Sequence, residues 1–174
     1  MAVRILIEGR PGSGKTTVAA RLAELLAARG IEVRGFVTHE VRERGRRVGF
    51  EVETVDGKRA TLSHVNLGGP PRVGRYGVDL EAFERVALPP LAKPPRRGVV
   101  LIDELGKMEL ASERFRETVA RLLDLPVDLV ATVHLFHDPF TDALKKRPDV
   151  ERMRVTHDSR DELPEQLADK LAHE

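Results

Sequence analysis

Eight consecutive residues, Gly9-Arg10-Pro11-Gly12-Ser13-Gly14-Lys15-Thr16, have the spacing G-x-x-x-x-G-K-[ST] that phosphate binding demands. Glycines let backbone N–H groups approach phosphate oxygens with no side chain in the way. A helix starting behind them adds free donors and a partial positive charge. Lys15 is expected to reach the β- and γ-phosphates, and the Thr16 hydroxyl to ligate Mg²⁺. The expected nucleotide-binding set is therefore Gly9, Arg10, Pro11, Gly12, Ser13, Gly14, Lys15, Thr16 and Thr17, with Arg10 facing solvent more than substrate. A second constellation, Val99-Val100-Leu101-Ile102-Asp103-Glu104, is an apolar run ending in two carboxylates, the Walker B pattern. A buried parallel strand would deliver Asp103 to the same sheet edge as the glycine-rich loop, there to hold Mg²⁺. Glu104 suits a general base that polarises an attacking water.

These residues need a scaffold. Val3–Ile7 reads as a buried strand ahead of the loop. Thr17–Arg29 reads as a helix with Val18, Leu22, Leu25 and Leu26 on one face, and Gly30 sits where its C-cap belongs. A strand over Ile31–Thr38 follows. Residues 39–64 follow a different pattern. Val48–Val55 alternates, Asp56-Gly57 turns, and Lys58–Leu62 resumes, which predicts an antiparallel β insertion. Residues 65–97 are rich in Gly and Pro around one helix, Leu80–Val86, and read as an irregular, lid-like segment. Alternation of strand and helix then resumes with strand Gly98–Ile102, helix Ser112–Leu123, strand Val127–Val133, strand Met153–Thr156 and a helix from about Asp161. The expectation is one α/β domain over 1–174 with a mostly parallel central sheet and an antiparallel hairpin insertion.

Glu directly after the Walker B Asp resembles the branch of P-loop proteins that activates water with that Glu. In that branch one strand lies between the P-loop strand and the Walker B strand. Here it would be Val127–Val133, whose end carries Thr132 and His134, either of which could sense the γ-phosphate or the water.

Composition excludes several classes. The 174 residues carry 29 Lys and Arg against 28 Asp and Glu, so no electrostatic footprint for nucleic acid or an anionic membrane is present. The basic stretch Arg42–Arg47 is interrupted by Glu43 and falls on a predicted turn. No apolar run is long enough to span a bilayer and Met1 opens directly into a strand, so neither membrane span nor signal peptide is expected, and a cytoplasmic location is. Cysteine is absent, which removes disulfides and thiolate metal sites. His134, His137 and Asp138 have metal-like spacing but lack further ligands. Aromatics make up 4%, so the core must be aliphatic. Arg34, Arg72 and Arg75 could line the phosphate or base pocket, with no spacing that selects among them. Nothing in the sequence demands a dimer, and a monomer is expected.

The chain resembles a known family through Gly35-Phe36-Val37-Thr38-His39-Glu40-Val41-Arg42, Arg47-Val48-Gly49-Phe50, Tyr76-Gly77-Val78-Asp79, Asp103-Glu104-Leu105-Gly106-Lys107-Met108-Glu109-Leu110 and Ala131-Thr132-Val133-His134, in that order. It is similar over nearly its whole length to the thermophilic nucleoside-triphosphate phosphatases, also called cancer-related nucleoside-triphosphatases. The resemblance implies a three-layer, RecA-like P-loop NTPase fold and Mg²⁺-dependent hydrolysis of nucleoside triphosphates (ATP, GTP and others) to diphosphate and phosphate, with broad base tolerance. It also singles out Lys107, as an internal cation for the γ-phosphoryl group, and Glu109, which could orient that lysine or stand behind the metal's ligands. The family's Asn-Arg pair at the base end corresponds to Ser159-Arg160, so Arg160 matches and Ser159 departs. Two other functions fit a P-loop: a small-molecule or nucleoside kinase, with 65–97 as acceptor lid, and a non-catalytic nucleotide switch. Glu104 favours hydrolysis, because a water-activating carboxylate beside the metal wastes ATP in a kinase.

Overall fold

The computed structural model describes residues 2–172. The chain runs β1 (Arg4–Glu8), α1 (Lys15–Ala28), β2 (Glu32–Glu43), β3 (Arg46–Thr54), β4 (Arg59–His64), β5 (Arg72–Val73), β6 (Tyr76–Val78), α2 (Leu80–Ala92), β7 (Gly98–Leu105), a 3-10 turn (Glu109–Ala111), α3 (Glu113–Leu122), β8 (Asp128–Val133), α4 (Pro139–Lys145), β9 (Glu151–Arg154) and α5 (Leu163–Leu171).

One sheet carries all of these strands, in the order β5-β6-β4-β3-β2-β7-β8-β1-β9. The pairings β2–β7, β7–β8, β8–β1 and β1–β9 are parallel. Those of β2–β3, β3–β4, β4–β6 and β6–β5 are antiparallel. The sheet is therefore mixed, and the expectation of a mostly parallel sheet is corrected. The reason lies in β2. It does not stop at Thr38 but runs on to Glu43, turns at Arg44-Gly45 and returns as β3, so the insertion adds a full antiparallel wing to the edge of the parallel core.

β8 lies between the P-loop strand and the Walker B strand, as the Asp-Glu pair predicted. Alternation along β7 divides the core. Val99 and Leu101 face α1 and α5, joining Ile5, Ile7, Val18, Leu22 and Leu167. Val100 and Ile102 face the other side, joining Phe36, Phe83, Val86, Phe115 and Val119. Helices on both faces give the three layers. On the second face Phe36, Phe83 and Phe115 meet edge to face, with centroids 5.3–5.9 Å apart, the geometry their quadrupoles favour. Gly35 lets β2 close on β7: its φ is 140° and a Cβ there would strike the Leu101 carbonyl.

Residues 65–97 are far more ordered than their Gly and Pro content suggested. Tyr76–Val78 is a buried strand on β4. Asp79 caps α2 by accepting from the Ala82 N–H at 3.0 Å. The helix then continues through Pro89 and Pro90 to Ala92 because Leu88 and Leu91 are buried in the core, which outweighs the missing donors of the prolines.

Candidate functional site

The C-terminal ends of β1, β7 and β8 and the loop before α1 meet at one edge of the sheet. Gly14, at φ 107°, turns the loop into α1, and only glycine adopts that backbone freely. Helices α2, α3 and α4 each have a side-chain cap from Asp79, Ser112 or Asp138 and an acidic residue in the first turn; α1 has neither. Among the described residues no side chain caps its first N–H groups, the arrangement that suits an anion. A Cβ on Gly14 would lie 2.9 Å from Cδ of Arg160, so the Arg160 side chain rests against the loop. Ser159 closes a local turn, accepting from the Thr156 N–H at 3.0 Å, a use its hydroxyl serves well. Arg10 and Pro11 are exposed, as is Thr17.

Lys15 ties the loop to the second constellation. Its Nζ donates to the Gly9 carbonyl at 3.0 Å and pairs with Glu104 Oε2 at 3.3 Å. Asp103 is 1% exposed. Its Oδ1 accepts from the Thr132 hydroxyl at 2.6 Å and its Oδ2 from the Thr38 N–H at 3.3 Å, and the Thr16 hydroxyl bonds it as well. Burial still pushes the Asp103 carboxyl above its ordinary range, against the pull of those donors and of Lys15. The β7–β8 register breaks between Ile102 and Leu105, so Asp103 and Glu104 leave the regular ladder at the strand end. Their shared peptide bond is cis. Glu104 is also held above its usual range, by burial first; Lys15 pulls it down and Asp103 pushes it further up. Glu109 is 4% exposed and accepts from the Glu104 N–H at 3.4 Å. Burial, with Glu104 beside it, drives this carboxyl well above the ordinary range, so it favours the protonated form.

Thr132 and His134, both buried, part company. Thr132 goes to Asp103. His134 sits 3.5 Å from the Thr141 hydroxyl through Nε2, and its Nδ1 has no partner among the described residues. Burial first, then the charge of Lys145, lowers its pKa to about 4, so the ring is neutral at neutral pH. Phe136 stacks on that ring, and the Lys107 ammonium lies 4.4 Å from the Phe136 centroid. Glu109 is turned to the Glu104 amide, and no bond joins it to Lys107 among the described residues. Two participants had no sequence signal: the Thr38 amide, which any residue would supply, and Phe136, an aromatic in a loop.

The remaining candidates have structural work elsewhere. Arg34 pairs with Glu32 and donates to the Lys93 carbonyl. Arg72 donates to the Leu67 and Arg75 carbonyls, and Arg75 to the Arg47 carbonyl and the Tyr76 hydroxyl, tying down the wing. His137 pairs with Asp142 at 3.3 Å and Asp138 caps α4. A cleft of about 820 Å³, lined in part by Arg29, Pro95, Arg97 and Leu171, lies at the opposite end of the parallel strands, without a comparable set of titratable groups. Among the described residues no helix is long and apolar enough to cross a membrane.

A family model described as NTPase matches residues 4–168. The nucleoside-triphosphatase THEP1 of Thermotoga sp. (strain RQ2) is 39% identical over 170 residues, 97% of this chain and 95% of its own length. The cancer-related nucleoside-triphosphatase of Homo sapiens is 40% identical over 177 residues, 94% of this chain and 93% of its own. The crystal structure of THEP1 from the hyperthermophile Aquifex aeolicus superposes with a TM-score of 0.87 at 35% identity, covering 98% of this chain and 100% of that one.

Proposed function

The chain belongs to the NTPase family and hydrolyses nucleoside triphosphates, and we propose that it does so with Mg²⁺ and with little regard for the base. The observation that carries the proposal is the Lys15–Glu104 pair beside buried Asp103, with an uncapped helix start facing it. Loop N–H groups and Lys15 hold the triphosphate, a part common to every nucleotide. In the free protein Lys15 is occupied by Glu104 and the Gly9 carbonyl. A γ-phosphate competes for that ammonium and frees the Glu104 carboxylate to take a proton from water. Water oxygen bonds to the γ-phosphorus, the bond from that phosphorus to the β–γ bridging oxygen breaks, and the nucleoside diphosphate leaves with inorganic phosphate as the other product. Lys107 meets charge on the γ-phosphoryl group as it redistributes. His134, neutral, is a second hydrogen-bonding group for that water. Arg160, whose side chain rests against Gly14, is the residue given the nucleoside end.

Two hard oxygen donors, Thr16 Oγ1 and Asp103, are already joined by a hydrogen bond, and burial leaves the Asp103 charge undercompensated. Both facts suit Mg²⁺, which prefers few protein oxygens and retained waters. Bound there, it would neutralise charge on the β- and γ-phosphate oxygens. Packing of residues 72–92 as β5, β6 and α2, with Val78, Phe83 and Val86 buried, favours hydrolysis over the kinase reading, which needs a mobile acceptor lid there.

The deciding measurement is phosphate release from ATP, GTP, CTP and UTP with Mg²⁺ and no acceptor. Turnover of all four at similar rates is expected and should stop with chelator. A kinase would release phosphate only when an acceptor is added, and a switch would bind nucleotide without steady turnover.

A further inference from the structure

Lys107 is exposed, yet no carboxylate holds it among the described residues. Its two acidic neighbours in the chain are turned away: Glu104 to Lys15, and Glu109 to the Glu104 amide. The ammonium instead faces the Phe136 ring at 4.4 Å, within the range where a ring quadrupole attracts a cation. Phe136 is half-buried between exposed Leu135 and His137. Its ring stacks on His134, which is buried, lies against the Thr141 hydroxyl and has its carbonyl held by Lys145 at 3.0 Å. The platform is thus founded on an anchored imidazole. It joins the loop after β7 to the loop after β8, two neighbouring parallel strands that end at the active edge.

We propose that Phe136 is a positioning residue whose ring face holds the Lys107 ammonium ready for the γ-phosphoryl group. The inference rests on the role given to Lys107 above. A carboxylate partner would neutralise the lysine and occupy its donors. A ring face attracts the cation but accepts none of its N–H groups in strong bonds, so charge and three donors stay free for phosphate oxygens. The contact restricts a long, flexible side chain without committing it elsewhere, and a substrate oxygen can displace it.

The test combines kinetics with a shift measurement on the native protein. Phe136→Leu removes the ring face at similar bulk, Phe136→Tyr keeps it, and Lys107→Met removes the charge. Phe136→Leu should lower kcat about 3- to 10-fold with KM unchanged, and Phe136→Tyr should restore most of it. In the Lys107→Met background Phe136→Leu should cost nothing further, because the two act as one unit. In the native, nucleotide-free protein the Lys107 Cε protons should resonate upfield, under the ring current. If Lys107→Met loses kcat while Phe136→Leu keeps it, the platform is wrong and the lysine's role stands. If Lys107→Met keeps wild-type kcat, both fall together. Equal losses from Phe136→Leu in both backgrounds would move the ring's effect to His134 and overturn the inference. So would ordinary Lys107 shifts in the native protein, a result available even if Phe136→Leu fails to fold.

Discussion

The antiparallel wing and the active edge carry carboxylates that are perturbed in opposite directions. On the wing, Glu53 is pulled below its ordinary range by the bond to His39, against some burial, with Arg59 adding to the pull. Partial burial works against ionisation of Glu40, but the bonds from Arg42 and Arg47 outweigh it and the group ends below its usual range. At the active edge burial wins, and Asp103, Glu104 and Glu109 all move up. Lys15 is the one cation paired with them among the described residues. The wing balances its own charge. At the edge Lys15 alone faces carboxylates that burial holds above their ordinary range, a pattern expected of a functional site more than of a structural ion-pair network.

The contrast is open to direct attack. The largest effect is expected from Lys15→Ala, which should cut phosphate release by at least about 10³-fold while circular dichroism and melting stay near wild type. Wild-type turnover by the folded variant would put the edge on the same footing as the wing. Next come the two carboxylates. Glu104→Gln keeps shape but not basicity, so kcat should fall roughly 10²- to 10⁴-fold with Mg·NTP binding retained. Asp103→Asn should weaken Mg²⁺-dependent binding and turnover together, and equilibrium binding beside single-turnover kinetics separates the two patterns.

A third effect is on stability. The His134 pKa of about 4 lies below its unfolded value near 6.5, so the unfolded chain binds the extra proton first on acidification. Stability is intact above about pH 6.5, falls as pH drops towards 4 and levels off below, with a span on the order of 2–3 kcal/mol. His134→Asn should flatten that part of the profile, read from urea midpoints; an unchanged slope would mean the ring is not sheltered as described. The smallest effect is expected on the wing. Glu40→Gln should change stability by less than about 1 kcal/mol, less still in high salt, and leave kcat untouched. A loss of turnover there would erase the distinction between the wing and the active edge.

What the sequence disclosed depended on the kind of constraint involved. The phosphate loop was legible because glycine, lysine and threonine at fixed spacing have few other uses. The position of β8 followed from one residue, Glu104, through the sheet order that water-activating P-loop proteins share. The wing's turns were legible in Asp56-Gly57 and Arg44-Gly45, but its extent was not. Tyr76–Val78 is too short to show a period, and it becomes a strand only because β4 offers an edge at Ser63 and His64. Pro89-Pro90 marks an irregular connection in sequence, yet burial of Leu88 and Leu91 carries α2 through it. Helix α4 was missed because its seven residues are set by the Asp138 cap more than by an apolar stripe. At the site, neither the burial of Glu109 nor its grip on the Glu104 amide has a pattern in sequence. The pairing of Lys107 with Phe136 likewise joins residues 29 positions apart through packing alone.

The order of the strands also fixes an order in time. The wing is assembled from neighbours in the chain, β2 to β3 to β4, across tight turns, so its pairings close short loops. β1 has no such neighbour. Its ladders are to Leu129–Val133 on one side and Glu151–Arg154 on the other. Pairings this distant in sequence are slow to form, because a long loop must close before any contact rewards it. The strand that carries the phosphate loop is therefore held only by distant partners, and its ladders are expected to close after those of the wing.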